Sequence, residues 1–272
     1  MNITLVTCYY NIDSKRDHKQ YVKWMSNLLG NINIPLIVYC DSKSEKLIEN
    51  ITKINKNKFI KIIKYEIEDF FVNQYQNHFE YSYSIDIEKK IHSIELYKVW
   101  NEKFNFIAKA IDINPFNSEY FYWIDIGCFR KKCTGLNYDK FNNWPNLDIL
   151  KNYTNKIILF QTKEFSNKDK ILDINGLVNN NLSKACSRGG WGAGRLVGGF
   201  FGGNIKNMLQ FNNLYYDMLL LWTKHNRFIG KDNYIMNNVY LQNKDLFHLF
   251  SKKNTNMIHV KDTHMWFQNF LL

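Results

Sequence analysis

Apolar and β-branched residues fill positions 3–10, ITLVTCYY, without a polar break, which predicts a strand buried on both faces. Over RDHKQYVKWMSNLLGNI (16–32) the pattern changes period. Tyr21, Trp24, Met25, Leu28 and Leu29 recur at the spacing of one helical face. IPLIVYC (34–40) is a second buried strand that runs into Asp41. SKSEKLIENITKI (42–54) then predicts a helix with Ser42 or Ser44 as N-cap, and FIKIIKYEI (59–67) a third strand. Solid apolar strands alternating with amphipathic helices predict an α/β domain with a mostly parallel central sheet, joined by right-handed crossovers.

Residues 68–86 are polar and aromatic with no clear period and read as a surface insertion. From 87 to 111 the positions Ile91, Ile94, Leu96, Val99, Trp100, Phe104, Ile107, Ala108 and Ile111 predict one long helix with a broad apolar face. NPFNSE (114–119) ends it by turn chemistry. SEYFYWIDI (118–126) is the next strand, and it carries an acid, Asp125, at its carboxyl end. A strand at 156–165 follows, then a glycine-rich segment at 189–203, helices at 205–228 and 231–243, and an aromatic tail holding His248, His259 and His264. No internal repeat and no Pro- or Ser-rich linker divides the 272 residues, so one domain is expected.

Composition narrows the class. With 45% apolar and 16% aromatic residues the chain is globular. Its net charge of +11 comes from lysines spread along the whole length, which suits solvated faces and is compatible with a phosphate-bearing ligand. No RNA- or DNA-binding module is recognisable. Apolar runs fall short of the ~18 residues a membrane span requires, and the N-terminus lacks the basic start of a secretory signal. Five scattered cysteines without a CxxC pair read as reduced thiols, so a cytoplasmic protein without integral membrane association is expected.

The chemistry centres on Asp125. An ionised carboxylate inside so apolar a strand is costly unless paired or metal-bound. At the mouth of the strand it meets whatever binds beyond the carboxyl ends of an open α/β sheet, and Gly127 leaves room for close approach. The bland alternative is a helix cap or an ion pair with Arg130, Lys131 or Lys132. Eight of the 13 glycines lie in GGWGAGRLVGGFFGG (189–203). This is neither a P-loop nor a dinucleotide fingerprint; the glycines either let backbone approach a sugar or allow a tight bend between strands. Asp232, near a helix start, is a cap or a general base, with Asp217 a weaker alternative. Arg195 is a phosphate ligand or half of a buried ion pair, and Lys103 a ligand or a snorkelling helix lysine.

The segment NPFNSEYFYWIDIGCFR, followed by GGFFGG and by the acid in GKDNYIMNNVY, resembles the HtrL/YibB family. The likeness runs in order from about residue 3 to 241 and includes ITLVTCYYNI, RDHKQYVKW and WNEKFNFIAKAI. YFYWIDIG also resembles the strand-then-acid segment of GT-A-fold glycosyltransferases, whose DxD motif holds a divalent ion and the sugar-nucleotide diphosphate; here DIG leaves the second acid absent. The resemblance implies a GT-A-like, Rossmann-like domain with a nucleotide-binding half (1–130) and an acceptor-binding half (131–272). It implies a glycosyltransferase, with a hexosyltransferase favoured, moving a sugar from a nucleoside diphosphate sugar, a UDP-sugar favoured, to a hydroxyl acceptor. In that reading Thr7, Tyr9, Arg16, Asp41, Lys103, Asp125, Gly127 and Arg195 bind the donor, and Gly198, Gly199 and Phe200 the acceptor. Asp232 is catalytic, and Mn²⁺ or Mg²⁺ rests on Asp125 and His259, with His264 a weaker ligand. The alternative is a catalytically silent sugar- or nucleotide-binding protein.

Overall fold

Every residue of the first strand, β1 (Ile3–Tyr9), is buried, as its unbroken apolar run demands. The computed structural model describes residues 1–13, 17–53, 59–130, 144–179, 194–261 and 264–272. β1 lies inside a seven-stranded sheet with β2 (Leu36–Cys40), β3 (Ile60–Lys64), β4 (Tyr120–Ile124), β5 (Ile157–Phe160), β6 (Phe200–Asn204) and β7 (Phe247–Phe250). The order is β3-β2-β1-β4-β6-β5-β7. The first four strands in that order are mutually parallel, β6 runs antiparallel to both its neighbours, and β7 is parallel to β5.

Helices cover both faces, and the period-2 alternation of the strands sorts their side chains between two cores. Val6, Tyr39 and Trp123 face one core together with Phe104 and Phe106 of α4 (Ile94–Ile113) and Tyr215 of α5 (Ile205–Lys224). Leu5, Val38 and Ile124 face the other, with Met25 of α1 (His18–Asn31) and Ile48 of α2 (Ser42–Thr52). α3 (Gln76–Ile85) and α6 (Asp232–Gln242) complete the first layer.

Several elements differ from the expectation. Asp41, not a serine, caps α2, its carboxylate accepting from the Ser44 N–H at 2.8 Å. Residues 68–86 are no surface insertion, for Val72 and Phe79 are fully buried. Two 3-10 turns and α3 dock on α4, where the buried Glu102 carboxylate accepts from the Phe71 and Val72 N–H groups at 3.1 and 3.2 Å. α4 itself starts only at Ile94, where the Ser93 hydroxyl accepts from Leu96 N–H at 3.2 Å. The tail contributes β7 at the sheet edge.

The largest departure is GGFFGG, whose last four residues lie in the strand β6. Glycine is depleted in strands, but here close approach requires it. A Cβ on Gly202 would sit 2.3 Å from the Phe121 carbonyl oxygen and 2.5 Å from the Tyr122 ring. Gly202→Ala is therefore expected to destabilise the fold by about 1–3 kcal/mol through overpacking, read as a lower urea midpoint with an unchanged slope.

Candidate active site

A cleft opens at the carboxyl ends of β1 and β4, where Tyr9, Asp125 and Gly127 line it. Ligands of open α/β sheets bind in this position. Because β6 is antiparallel, its amino end lies at the carboxyl end of β4: Ile124 pairs with Phe200, and the Asp125 N–H donates to the Gly199 carbonyl at 2.9 Å. This reversal brings Gly198 and Gly199 to the acid from some 70 residues further along the chain, a separation the backbone contact spans.

Asp125 is held on one side and open on the other. Its Oδ1 accepts from the Trp123 indole N–H at 2.8 Å and pairs with the Lys103 ammonium at 3.0 Å. Its Oδ2 makes no hydrogen bond among the described residues, and the side chain keeps 35% of its exposure. Lys103 does not snorkel. Its side chain is 3% exposed, and its Nζ reaches Asp232 Oδ2 at 2.8 Å and donates to the Gly198 carbonyl at 2.9 Å. Asp125 thus has an ion-pair partner that was not among those weighed for it, Lys103 of α4; Arg130 donates from Nε to the Gly127 carbonyl at 2.7 Å and stacks on Trp24 at 4.2 Å, and Lys131 and Lys132 lie outside the described residues.

Asp232 opens α6 with its side chain 8% exposed, and its Oδ1 accepts from the Asn233 N–H at 2.8 Å. Burial raises its carboxyl above the ordinary range, against the pull of Lys103. Burial also disfavours the Lys103 ammonium, but Asp125 and Asp232 more than offset it and hold the group above its usual value. The two glycines make this convergence possible. A Cβ at Gly198 would fall 2.8 Å from Asp232 Oδ2, and one at Gly199 3.2 Å from Asp125 Oδ2.

Other expected residues scatter. Tyr9 lines the cleft with its hydroxyl bonded to His18 Nδ1 at 2.6 Å; burial pushes the phenol up to about 12. Asp41 lies in an adjoining hollow with His18 and caps α2. Gly127 makes room for the Tyr21 ring, which a Cβ would approach to 3.1 Å. Thr7 is fully buried in β1. Arg195 is tied at 3.0 Å to Asp169 in a buried ion pair, away from the cleft lining. Phe200 is a core residue, stacked between Tyr122 and Phe267, and has no exposed surface for an acceptor. His259 is exposed on the tail and does not line the cleft; His264 is half-buried, and Asp217 is exposed on α5. Arg16 lies outside the described residues.

Sequence reasoning missed Trp123, which orients Asp125, and His18 and Trp100, which line the cleft. The two-residue spacing of Trp123 and Asp125 on one strand was the available signal. Among the described residues, one set of carboxylates and imidazole converges as metal ligands would: Asp86, Glu88 and His92. These groups are spent on protein partners. Asp86 accepts from the Tyr97 hydroxyl and pairs with His92 at 2.6 Å, and Glu88 pairs with Lys231 at 2.7 Å.

A family model described as "Bacterial protein of unknown function (HtrL_YibB)" matches residues 1–270. No curated protein matches the chain. Among solved structures, the apo form of mouse xyloside xylosyltransferase 1 is similar at 11% identity and a TM-score of 0.50, over 93% of this chain and 86% of that one. Core-mannan synthase A of Aspergillus fumigatus, in a form with Mn and GDP, is similar at 14% identity and a TM-score of 0.49, over 92% and 73%. The fold is GT-A-like. No helix among the described residues is long and apolar enough to cross a membrane.

Proposed function

Because the chain belongs to the HtrL_YibB family, and its sheet is GT-A-like, we propose that it is a glycosyltransferase that moves a sugar from a nucleoside diphosphate sugar to a hydroxyl acceptor. A UDP-sugar is the favoured donor and a hexose the favoured group. One observation carries this reading: Asp125 stands in the floor of the cleft at the carboxyl end of β4, joined to Asp232 through a single buried lysine.

The donor's base and ribose fit the end of the cleft at Tyr9 and His18, with Asp41 in the hollow beyond. The diphosphate then falls near Asp125. Residues 1–130 thus hold the donor, and the acceptor enters from the second half, past Gly198 and Gly199. For Mn²⁺ or Mg²⁺ the donor set is small. Asp125 Oδ2 is open to the cleft, Gly127 stands where a second acid would be, and Asp232 is engaged by Lys103 and Asn233. One carboxylate oxygen fits an ion that draws its other ligands from phosphate and water. Such an ion supplies Lewis-acid neutralisation of the leaving diphosphate.

The chain's own groups do the rest. Trp123 and Lys103 fix Asp125 before the donor arrives, which is electrostatic preorganisation. Asp232, whose carboxyl burial raises, is the group to take the acceptor's proton in an inverting transfer. A binding protein without catalysis is the competing reading, favoured by Gly127 in place of the second acid.

A thermal-shift panel of UDP-, GDP- and CMP-sugars, with and without Mn²⁺, tests the proposal. The cognate donor is expected to raise Tm by binding the native state and then to release its nucleotide over time. Binding without release would favour the silent reading; no shift with any donor would remove both.

A further inference from the structure

The Lys103 ammonium sits in a cage of three oxygens: Asp232 Oδ2 at 2.8 Å, the Gly198 carbonyl at 2.9 Å and Asp125 Oδ1 at 3.0 Å. Two carboxylates and a carbonyl converging on one point are the ligand chemistry of a hard cation. The cage is a built feature. Its floor comes from three separate elements, the side chain that fills it is 3% exposed, and a Cβ at Gly198 would intrude on Asp232 at 2.8 Å.

We propose that Lys103 is the resident cation of the cleft, plugging a latent divalent-ion site. Two consequences follow from charge and ligand count. Asp125 and Asp232 carry two negative charges, and the ammonium cancels one of them without any ion. With the cage filled, the free protein offers a divalent ion one carboxylate oxygen, Asp125 Oδ2, which is too few to hold it in competition with water. A divalent ion therefore enters together with the diphosphate and not before it; this second consequence rests on the donor reading above, whereas the first stands on geometry alone.

Lys103→Met removes the charge and keeps a stem of similar length, leaving three oxygens facing an empty position. Titrating MnCl₂ into nucleotide-free protein, followed by the electron paramagnetic resonance signal of free Mn²⁺, tests the idea. Wild type is expected to leave the signal unattenuated. Lys103→Met is expected to bind Mn²⁺ at least about tenfold more tightly than wild type, since affinity follows the count of charged oxygens. Adding Asp232→Asn to Lys103→Met is expected to weaken that binding again. Mn²⁺ binding by wild type as tight as by the variant would overturn the proposal, as would a folded variant that gains none. If the variant does not fold, the wild-type titration alone still decides, because one-to-one binding of Mn²⁺ to nucleotide-free protein contradicts a filled cage. The titration contains no sugar nucleotide, so its outcome is separate from that of the donor panel: a failed panel leaves the plug standing, and a failed plug leaves the glycosyltransferase reading standing.

Discussion

Asp125→Asn is expected to slow nucleotide release from the cognate donor by about 10²–10³-fold, the size of loss when one contact that stabilises a developing anion is removed, because the carboxylate that would anchor the charge-neutralising ion is gone. The substitution keeps the shape of the side chain. A carbonyl oxygen at Oδ1 still accepts from the Trp123 indole, so the geometry at the end of β4 persists. What disappears is the negative charge that anchors Lys103 and faces the cleft. Since the side chain is one-third exposed, an unchanged far-UV circular dichroism spectrum should accompany the loss. Release at the wild-type rate would remove Asp125 from the mechanism.

The second large effect is on stability. In Lys103→Met, Asp232 stays buried with the Asn233 N–H as its remaining partner. Breaking a buried pair by deleting one member leaves an uncompensated charge and costs about 3–5 kcal/mol. The pH dependence distinguishes this from a simple packing defect. Asp232 already has its carboxyl raised by burial, and without Lys103 it holds its proton more strongly still. The unfolded chain ionises this carboxyl in the ordinary range while the folded variant keeps the proton, so stability falls as pH rises through that interval. The deficit is thus smaller near pH 4 than near pH 8. Wild type has a complementary signature. Its Lys103 is held above the ordinary 10.5, so the lysine's contribution is complete below that value. It is lost as pH climbs towards the folded value, because the unfolded chain releases the proton first. Urea midpoints across pH 4–11 check both slopes; a deficit that does not change with pH would mean that packing alone is at stake.

Asp125 was legible because hydrophobic pattern and carboxylate cost act within one strand, and a buried strand leaves an acid few places other than its end. The same holds for β1 to β4 and for α1, α2 and α4 between them, though not for α3: continuous apolar runs and single apolar faces are local signals, and the parallel half of the sheet follows from their alternation. The family likeness rested on such local segments too, and the match over residues 1–270 agrees with it.

Lys103 and Asp232 were named from the sequence, but not as partners. Their meeting depends on α4 packing across the sheet and on α6 delivering its first residue to the same point. Neither is encoded in any short window. Likewise, glycines read as a bend or a sugar contact became a central strand once Phe121 and Tyr122 packed against Gly202. Arg195 shows the converse: a cation suited to phosphate by type was claimed by Asp169, 26 residues away in the chain. Local pattern determined β1 to β5, the helices α1, α2 and α4 to α6, and which acid stands at a strand's mouth, because those depend on burial along a few consecutive residues. Which charges meet, and whether a glycine serves the cleft or the sheet, was decided by tertiary structure, because a buried ion takes whichever opposite charge the packing brings within about 3 Å.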